Sequence, residues 1–273
     1  MLNRTIRSLN AVALLLLLGA CASAPSEKLT FSAEQIDKSK RIALLWIKPC
    51  IAKLTGGCES DDGRTAEAKL AIHGAVGWVD LKQEYEDDIG LAASIARINA
   101  GPVIEEAYLR KLKTHLLNRG LSAVAVANPV YEGALGKQRR SKTVTFNEQS
   151  LLGATQFPLQ VKANSFNLAP LHDSLSAEYL LVLELLRFNV ERHYNSTGRP
   201  ASNPHAVSAI RVSLHERDGN RVLFDDFVQK GAIVANGWNA PPHYPILNDM
   251  LIATLQNAIE EASSRLLEQL NQQ

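Results

Sequence analysis

The chain has 273 residues, of which 46% are hydrophobic and 21% are charged, with 29 Lys and Arg residues against 28 Asp and Glu residues. A chain this apolar with so little net charge collapses into a folded core, which excludes general disorder. The near balance of charge also excludes nucleic-acid binding driven by bulk basic charge, because that needs a surplus of Lys and Arg.

Residues 1–20 have the composition of a processing segment rather than of a folded element. Arg4 and Arg7 give a positive start, and an apolar run from Ala11 to Ala20 follows, with five consecutive leucines. This run is about half the ~20 residues that a membrane-spanning helix needs. We therefore predict a signal peptide over 1–20 that is removed from the mature chain.

The predicted signal peptide ends in Leu18-Gly19-Ala20-Cys21, which resembles the lipobox of bacterial lipoproteins. The resemblance implies cleavage before Cys21 and attachment of diacylglycerol to its sulfur; a plain secretory signal is the alternative. Ala22 follows the cysteine, where Asp often marks retention in the inner membrane, so the resemblance implies an outer-membrane protein that faces the periplasm. Several acyl chains together anchor a protein firmly, whereas one chain is marginal.

The acyl chains are expected to be the anchor, because the mature chain has no bulk attraction to anionic lipid. Removing residues 1–20 leaves 27 basic and 28 acidic residues. Residues 21–40 are polar and of mixed charge, and we predict that they form the lipidated tether of a periplasmic domain over 41–273.

Cys50 and Cys58 remain once Cys21 carries lipid. They lie eight positions apart with Thr55-Gly56-Gly57 between them, and in an oxidising periplasm such a pair is typical of a disulfide-closed loop. A zinc site is the alternative, but no second pair of ligands lies nearby at zinc-finger spacing. We predict the disulfide, within a long insertion over 49–100.

The mature chain alternates strand-like and helix-like patterns. The apolar run at 41–47 predicts a strand buried on both faces, and the three-to-four spacing of apolar residues over 102–118, followed by Gly120, predicts a helix. Alternation over 121–126 predicts a second strand, parallel to the first as in a β-α-β unit.

The second half of the chain predicts the rest of one α/β domain. The remaining predicted elements are a short helix at 168–175, a central strand at 178–188, a hairpin of 206–216 with 221–230 about Asp218-Gly219, and an amphipathic helix at 245–270. The predicted fold is therefore a mixed β-sheet flanked by helices, in the order β-α-β-α-β-β-β-α.

The predicted strand directions place the long connections together. The C-terminal ends of parallel strands share one rim of a sheet, and ligands of open α/β sheets bind outside those ends. The long connections are 49–100, 128–167, 190–205 and 231–244. All of them leave from that rim, which we therefore expect to be the working surface.

The closing part of the chain resembles a known group of envelope proteins. The elements that carry the resemblance are a helix, a strand, a short helix that leads into Ala177-Glu178-Tyr179-Leu180-Leu181, a hairpin over 214–224 and a closing helix. In this order they are similar to envelope lipoproteins with the TolB N-terminal type of fold. That group includes curli-secretion subunits and penicillin-binding-protein activators. The resemblance implies a docking or assembly role; it covers 41–48 and 101–270 without 128–167, and the long 49–100 insertion departs from it.

No motif of catalytic, metal-binding or cofactor-binding residues is complete in the sequence. His215-Glu216 begins like a zinc-protease motif, but it lies on a predicted strand. His172-Asp173-Ser174 contains the residue types of a catalytic triad, yet neighbours on a helical turn point about 100° apart. We predict no catalytic residues, no metal and no cofactor.

For the residues at the predicted rim, partner contact is a better interpretation than catalysis. Trp238, His243 and Tyr244 form an aromatic group before the last helix, and aromatic anchors are typical of partner grooves. Arg139 and Arg140 lie in the densest basic run of the chain. Packing against the helix start is the alternative for the aromatic group, and simple solvation is the alternative for the basic run.

The sequence thus predicts a non-enzymatic, lipid-anchored domain that contacts the membrane through Cys21 and docks onto another envelope protein. A small-ligand or lipid-binding auxiliary of a transport system is the alternative, and a hydrolase is a third hypothesis. A docking protein is expected to expose an apolar patch, a ligand binder to enclose a pocket, and an enzyme to bring titratable groups together.

Non-reducing peptide mapping of freshly isolated protein is expected to find Cys50 joined to Cys58. The bond closes a short loop, so its removal in Cys50→Ser is expected to lower the free energy of unfolding by roughly 2–3 kcal/mol. Free thiols at both positions in the unsubstituted protein would contradict the prediction.

Overall fold

The computed structural model of the chain contains one mixed sheet with helices packed on it, all within a compact unit that spans Phe31–Gln273. The described residues are 36–48, 51–52, 58–59, 77–80, 99–131, 135, 137–146, 159–194, 199, 203–217, 221–234, 236–237 and 245–271.

The strands and helices follow the predicted order, with additional short strands and one additional hairpin. The strands are β1 (Arg41–Lys48), β2 (Ile51–Ala52), β3 (Cys58–Glu59), β4 (Gly77–Asp80), β5 (Ser122–Ala125), β6 (Val130–Tyr131), β7 (Lys137–Phe146), β8 (Leu159–Phe166), β9 (Tyr179–Tyr194), β10 (His205–Glu216) and β11 (Val222–Ile233). The helices are α1 (101–117), α2 (Ala169–Leu175) and α3 (Pro245–Asn271). None of the helices in these ranges combines the length and the apolar character needed to cross a membrane.

The main sheet has seven strands, in the order β11-β10-β9-β1-β5, with β4 also paired to β9 and β6 also paired to β1. β1 runs parallel to both β9 and β5, with Leu44 opposite Leu181 on one side and Ala125 on the other. β10 is antiparallel to β9 and β11. The predicted α/β class, the mixed sheet and the central position of β9 are therefore confirmed.

β1 is apolar along its length because both of its faces are buried, as the sequence predicted. Ile42, Leu44 and Trp46 belong to the main core cluster. Ala43 and Leu45, which alternate with them, belong to a separate cluster on the opposite face.

α1 packs against the sheet and ends in a glycine cap. Its central segment, Glu105–Leu112, is a π-helix between two α-helical segments. Gly120 has φ +76, the left-handed conformation that favours glycine. The Leu121 N–H donates to the Leu116 carbonyl and the Gly120 N–H to the Leu117 carbonyl, which is the hydrogen-bond pattern of a Schellman cap.

The side chain of Tyr108 joins α1 to the centre of the sheet. Its hydroxyl donates a 2.7 Å hydrogen bond to the backbone carbonyl of Leu181 in β9. The residue is fully buried, and burial raises the pKa of the Tyr108 hydroxyl well above its ordinary value. The hydroxyl therefore stays a donor throughout the neutral pH range.

α3 is the predicted amphipathic helix, and it covers the same face of the sheet as α1. Its buried residues include Leu255, Ile259 and Leu266, which share the main core cluster with strand residues of β10. A buried polar contact also crosses this interface: the hydroxyls of Ser208 and Thr254 lie 2.8 Å apart.

The chain also forms a hairpin that the sequence analysis treated as part of a long connection. β7 and β8 pair antiparallel in a two-stranded sheet of their own. Their sequences mix basic residues, threonines and a few apolar residues, so they lack the continuous apolar run that marks β1 and β9.

Replacing Tyr108 by Phe is expected to lower the free energy of unfolding by about 1–2 kcal/mol, because a buried hydrogen bond is lost while the ring stays in place. Urea denaturation followed by circular dichroism measures the change. Tyr131→Phe is the matched control, since Tyr131 is exposed; it should change stability by less than ~0.5 kcal/mol. Equal losses in the two variants would contradict the assigned role of the Tyr108 hydroxyl.

Candidate functional site

β1 and β9 point toward the same end of the sheet, and described parts of two long connections lie toward that end. β6 pairs with Ile47 and Lys48 at the end of β1, and β4 pairs with the last four residues of β9. These short strands belong to the 128–167 and 49–100 connections, so described parts of both connections lie toward the same end of the sheet. That end is stepped, because β1 ends its pairing opposite Glu184 and β4 pairs with residues 191–194 of β9. We call this end of the sheet the C-terminal rim; its described residues include Lys48, Tyr131, Tyr194, His205 and Ile233.

The opposite end of the sheet holds the segment that precedes β1, and its connections are short. The backbone N–H of Asp37 donates to the Tyr179 hydroxyl at 3.0 Å, which fixes this segment at the start of β9. The Glu178 N–H donates to the Arg41 carbonyl, and the Arg217 N–H donates to the Glu178 carbonyl. The predicted tether therefore enters the domain at the end opposite the C-terminal rim.

A β-bulge in β9 changes which residues of the strand face each side of the sheet. Residues 181, 183 and 185 face the core under α3, and strict alternation would also place residue 187 there. Ala209 pairs with Arg187 and Ile210 with Leu185, so Leu186 is skipped and the alternation reverses. Phe188 and Val190 then pack toward α3, and the charged residues lie on the other side of the sheet.

Arg211 is the centre of a buried charged cluster on that other side, which we call the polar face. Its guanidinium donates to both carboxylate oxygens of Asp225, at 2.6 and 3.2 Å, and lies 3.5 Å from Glu184. It also lies over the Phe227 ring, 5.3 Å from the centroid. Burial lowers the pKa of Arg211, but Asp225 and Glu184 together outweigh burial and raise it. The guanidinium therefore stays charged.

A second buried ion pair lies beyond the bulge. The Nε atom of Arg187 donates to Glu191 at 2.6 Å and to Asn189 at 3.2 Å, and Arg187 Nη2 also pairs with Glu191. All three side chains are less than a tenth exposed. Pairing is what makes such burial tolerable, because an isolated buried charge is very costly.

Two histidines lie near the other end of the polar face. His215 Nε2 is 2.8 Å from the Ser213 hydroxyl, and burial followed by the nearby Arg211 charge lowers the pKa of His215 to about 4. His172 Nδ1 lies 2.9 Å from the Ala177 carbonyl, which only accepts, so this nitrogen carries the proton. Among the residues that the structure describes, His215 Nδ1 and His172 Nε2 have no hydrogen-bond partner.

The histidine contacts differ from a Ser-His-Asp relay. In such a relay an acidic group binds the second nitrogen of the imidazole and orients it. Ser213 is only 2% exposed, and within the described ranges no group binds His215 Nδ1. Asp173, next to His172, instead forms an exposed ion pair with Arg217 at 2.5 Å.

The described part of the C-terminal rim exposes two of the large apolar side chains. Ile233 is 51% exposed at the end of β11, and Tyr131 is 40% exposed, with the Lys48 ammonium 5.9 Å from its ring centroid. They belong to strands on opposite sides of β9, so they do not form one continuous patch.

Most of the residues predicted for lipidation, for the disulfide or for partner contact lie outside the described residues. Cys21, Cys50, Trp238, His243 and Tyr244 are all in this group. Cys58 lies in β3, with its backbone paired to Ala52, and Arg139 and Arg140 lie in β7. The predicted contact residues thus remain predictions, with Arg139 and Arg140 now placed on a strand.

The polar face is what the sequence analysis missed. Glu184, Arg187 and Glu191 lie in or just after the segment predicted to be the central strand, 178–188. The polar alternation at 187, 189 and 191 was a usable signal for a strand with one polar face. The reversal at Leu186 had no such signal, because it depends on the register with β10.

The comparisons with known proteins assign no family to this chain. No family model matches it, and no curated protein matches it. A Xanthomonas campestris protein described by the family model DUF330 is similar over 36% of this chain, with 16% identity and a TM-score of 0.27, and the match spans half of that protein's length. A hypothetical protein of Chlamydia trachomatis is similar over 86% of this chain and 99% of its own, with 11% identity and a TM-score of 0.32.

Replacing Arg211 by Met is expected to lower the free energy of unfolding by about 3–5 kcal/mol, because the carboxylates of Asp225 and Glu184 would stay buried without their cation. Arg221→Met is the matched control, since Arg221 pairs with Glu216 while half exposed; its loss should not exceed ~1 kcal/mol. Similar losses in the two variants, measured by urea denaturation, would show that the Arg211 cluster is not important for stability.

The lowered pKa of His215 predicts a loss of stability in mild acid. The unfolded chain takes up the imidazole proton near pH 6.5, but the folded protein takes it up only near 4. The contribution of neutral His215 to the free energy of unfolding is therefore fully present above pH 6.5. It is lost as the pH falls from 6.5 to about 4, and the loss amounts to about 3 kcal/mol. His215→Gln should remove this slope from a plot of unfolding free energy against pH.

The control for this pH dependence is His115→Gln, because His115 is exposed. The His115 variant should keep the slope of the unsubstituted protein. A slope that survives in His215→Gln would assign the pH dependence to other groups.

Proposed function

We propose that the chain is a lipid-anchored envelope lipoprotein that docks, without catalysing a reaction, onto another envelope component. The observation that carries the proposal is the division of the sheet into two ends. The described segment before β1 lies at one end, and the short strands β4 and β6, which belong to two of the long connections, lie toward the other. A domain tethered at one end keeps the other end accessible to a partner.

The lipobox-like Leu18-Gly19-Ala20-Cys21 supports the anchor. A thioether-linked diacylglycerol on Cys21 would hold the domain at the periplasmic side of the outer membrane. The tether is short, so its reach from Cys21 to Ile36 is at most about 50 Å. The partner is therefore expected to be a protein within or close to that membrane.

The packing of the sheet supports docking through a rigid surface. Ion pairs on the polar face are buried and hydrogen-bonded, and the strands that end at the rim are fixed by pairing on their long edges. A surface that is already ordered loses less conformational entropy on binding than a flexible one. The exposed side chain of Ile233 is one apolar contact that the rim offers.

Photo-crosslinking in intact cells tests the docking surface. A photoreactive amino acid in place of Ile233, at the C-terminal rim, is expected to give a defined crosslinked product with an envelope protein. The matched control replaces Arg217, which is exposed at the opposite end of the sheet, and should not give that product. Recovery of only the uncrosslinked chain from both positions, or the same product from both, would contradict docking through the rim.

A further inference from the structure

The hairpin of β7 and β8 is a separate structural element attached to the domain at its base. Within the described residues the two strands pair only with each other. Phe166, at the end of β8, is buried in the cluster that includes Leu168 and Leu180, so the base of the hairpin is packed against the main sheet. A two-stranded hairpin without further contacts is only marginally stable in water.

The hairpin concentrates the positive charge of the chain. β7 and β8 contain five basic residues and no acidic residue: Lys137, Arg139, Arg140, Lys142 and Lys162. The rest of the chain after residue 20 contains 22 basic and 28 acidic residues. The hairpin is therefore a basic element on a domain that is otherwise acidic.

An irregularity in the pairing coincides with the arginines. The ladder is regular from Phe146 opposite Leu159 to Lys142 opposite Ala163, and it resumes only where Gln138 lies opposite Ser165. Residues 139–141 thus face a single residue of β8, which is a bulge with extra residues in β7. Arg139 and Arg140 lie within this bulge, outside the regular ladder.

The outer half of the hairpin has one apolar face. Val144 lies opposite Val161, and Phe146 lies opposite Leu159. Because alternate residues of a strand share a face, these two pairs lie on the same side of the hairpin. The intervening pairs, Thr143 with Lys162 and Thr145 with Gln160, lie on the other side. The hairpin therefore has basic residues near the end that is attached to the domain and an amphipathic pattern in its outer half.

We propose that this hairpin binds the surface of an anionic phospholipid bilayer, as a second contact besides the acyl anchor. Basic residues next to an amphipathic element are what interfacial binding to anionic lipid requires, since the charges attract the headgroups and the apolar face enters the boundary region. An acidic protein surface would match the charge, but it gives no reason for the apolar pairs.

The tether strengthens this contact without any change in its chemistry. The inference rests on the proposed function only for the closeness of the domain to the bilayer, because a domain anchored in the membrane meets the bilayer at a high effective concentration. The intrinsic affinity of the hairpin for lipid is a property of the folded domain, and it is measurable without the acyl chains.

Vesicle sedimentation with the non-acylated chain from Ala22 onward tests the proposal, since this chain includes the compact unit Phe31–Gln273 and every described element. Binding is expected to vesicles of phosphatidylglycerol mixed with phosphatidylcholine, to weaken as salt is added, and to be absent with phosphatidylcholine alone. Arg139→Gln with Arg140→Gln should weaken the binding about thirty-fold, as expected for the loss of two basic residues near the lipid surface.

Lys38→Gln with Lys40→Gln is the matched control, because both lysines are exposed and lie in the segment before β1 rather than in the hairpin. This variant should bind like the unsubstituted chain. Three results would overturn the proposal: no binding to the anionic vesicles, binding that does not depend on salt or lipid charge, or equal losses in the two double variants. Absence of acylation in cells would contradict the proposed function and leave this result unaffected.

Discussion

The structure depends on the parallel pairing of β1 with β9. This pairing joins the first strand of the domain to a strand more than a hundred residues later in the chain, with six residues of each strand in register. It is stable because both strands are covered on both faces, by the core under α1 and α3 on one side and by the cluster around Leu168 on the other. Because these strands are parallel, their C-terminal ends point toward the same end of the sheet, although β9 continues past its last pair with β1, Glu184 with Ile47, to Tyr194.

The length of β9 has a second consequence for that rim. The first half of the strand pairs with β1, and the last four residues pair with β4 from the 49–100 connection. Between these halves the bulge at Leu186 exchanges the two faces of the strand. The same strand thus contributes Leu183 to the core and Arg187 to the polar face, and the polar residues stay buried because each charge has a partner.

Much of the fold could be predicted because its signals are local. The apolar run of β1 reflects burial on both faces. The glycine after α1 reflects the left-handed conformation at the end of that helix, and the periodicity of α3 reflects a helix with one apolar side. The bulge at Leu186 and the hairpin of β7 and β8 depend on strand register, which no local pattern reveals. The candidate site was predictable only as a rim, since the partners of Arg211 come from two other strands.

The proposed function combines two features: the acyl anchor that the sequence indicates at Cys21, and the C-terminal rim of the sheet. In the proposed function, the anchor would hold one end of the domain near the membrane and leave the C-terminal rim accessible to a partner. Intact-mass analysis of the protein from its native host tests this account most directly. The account predicts a chain that begins at Cys21 and carries acyl chains; a chain that retains Met1 and has no acyl group would contradict it.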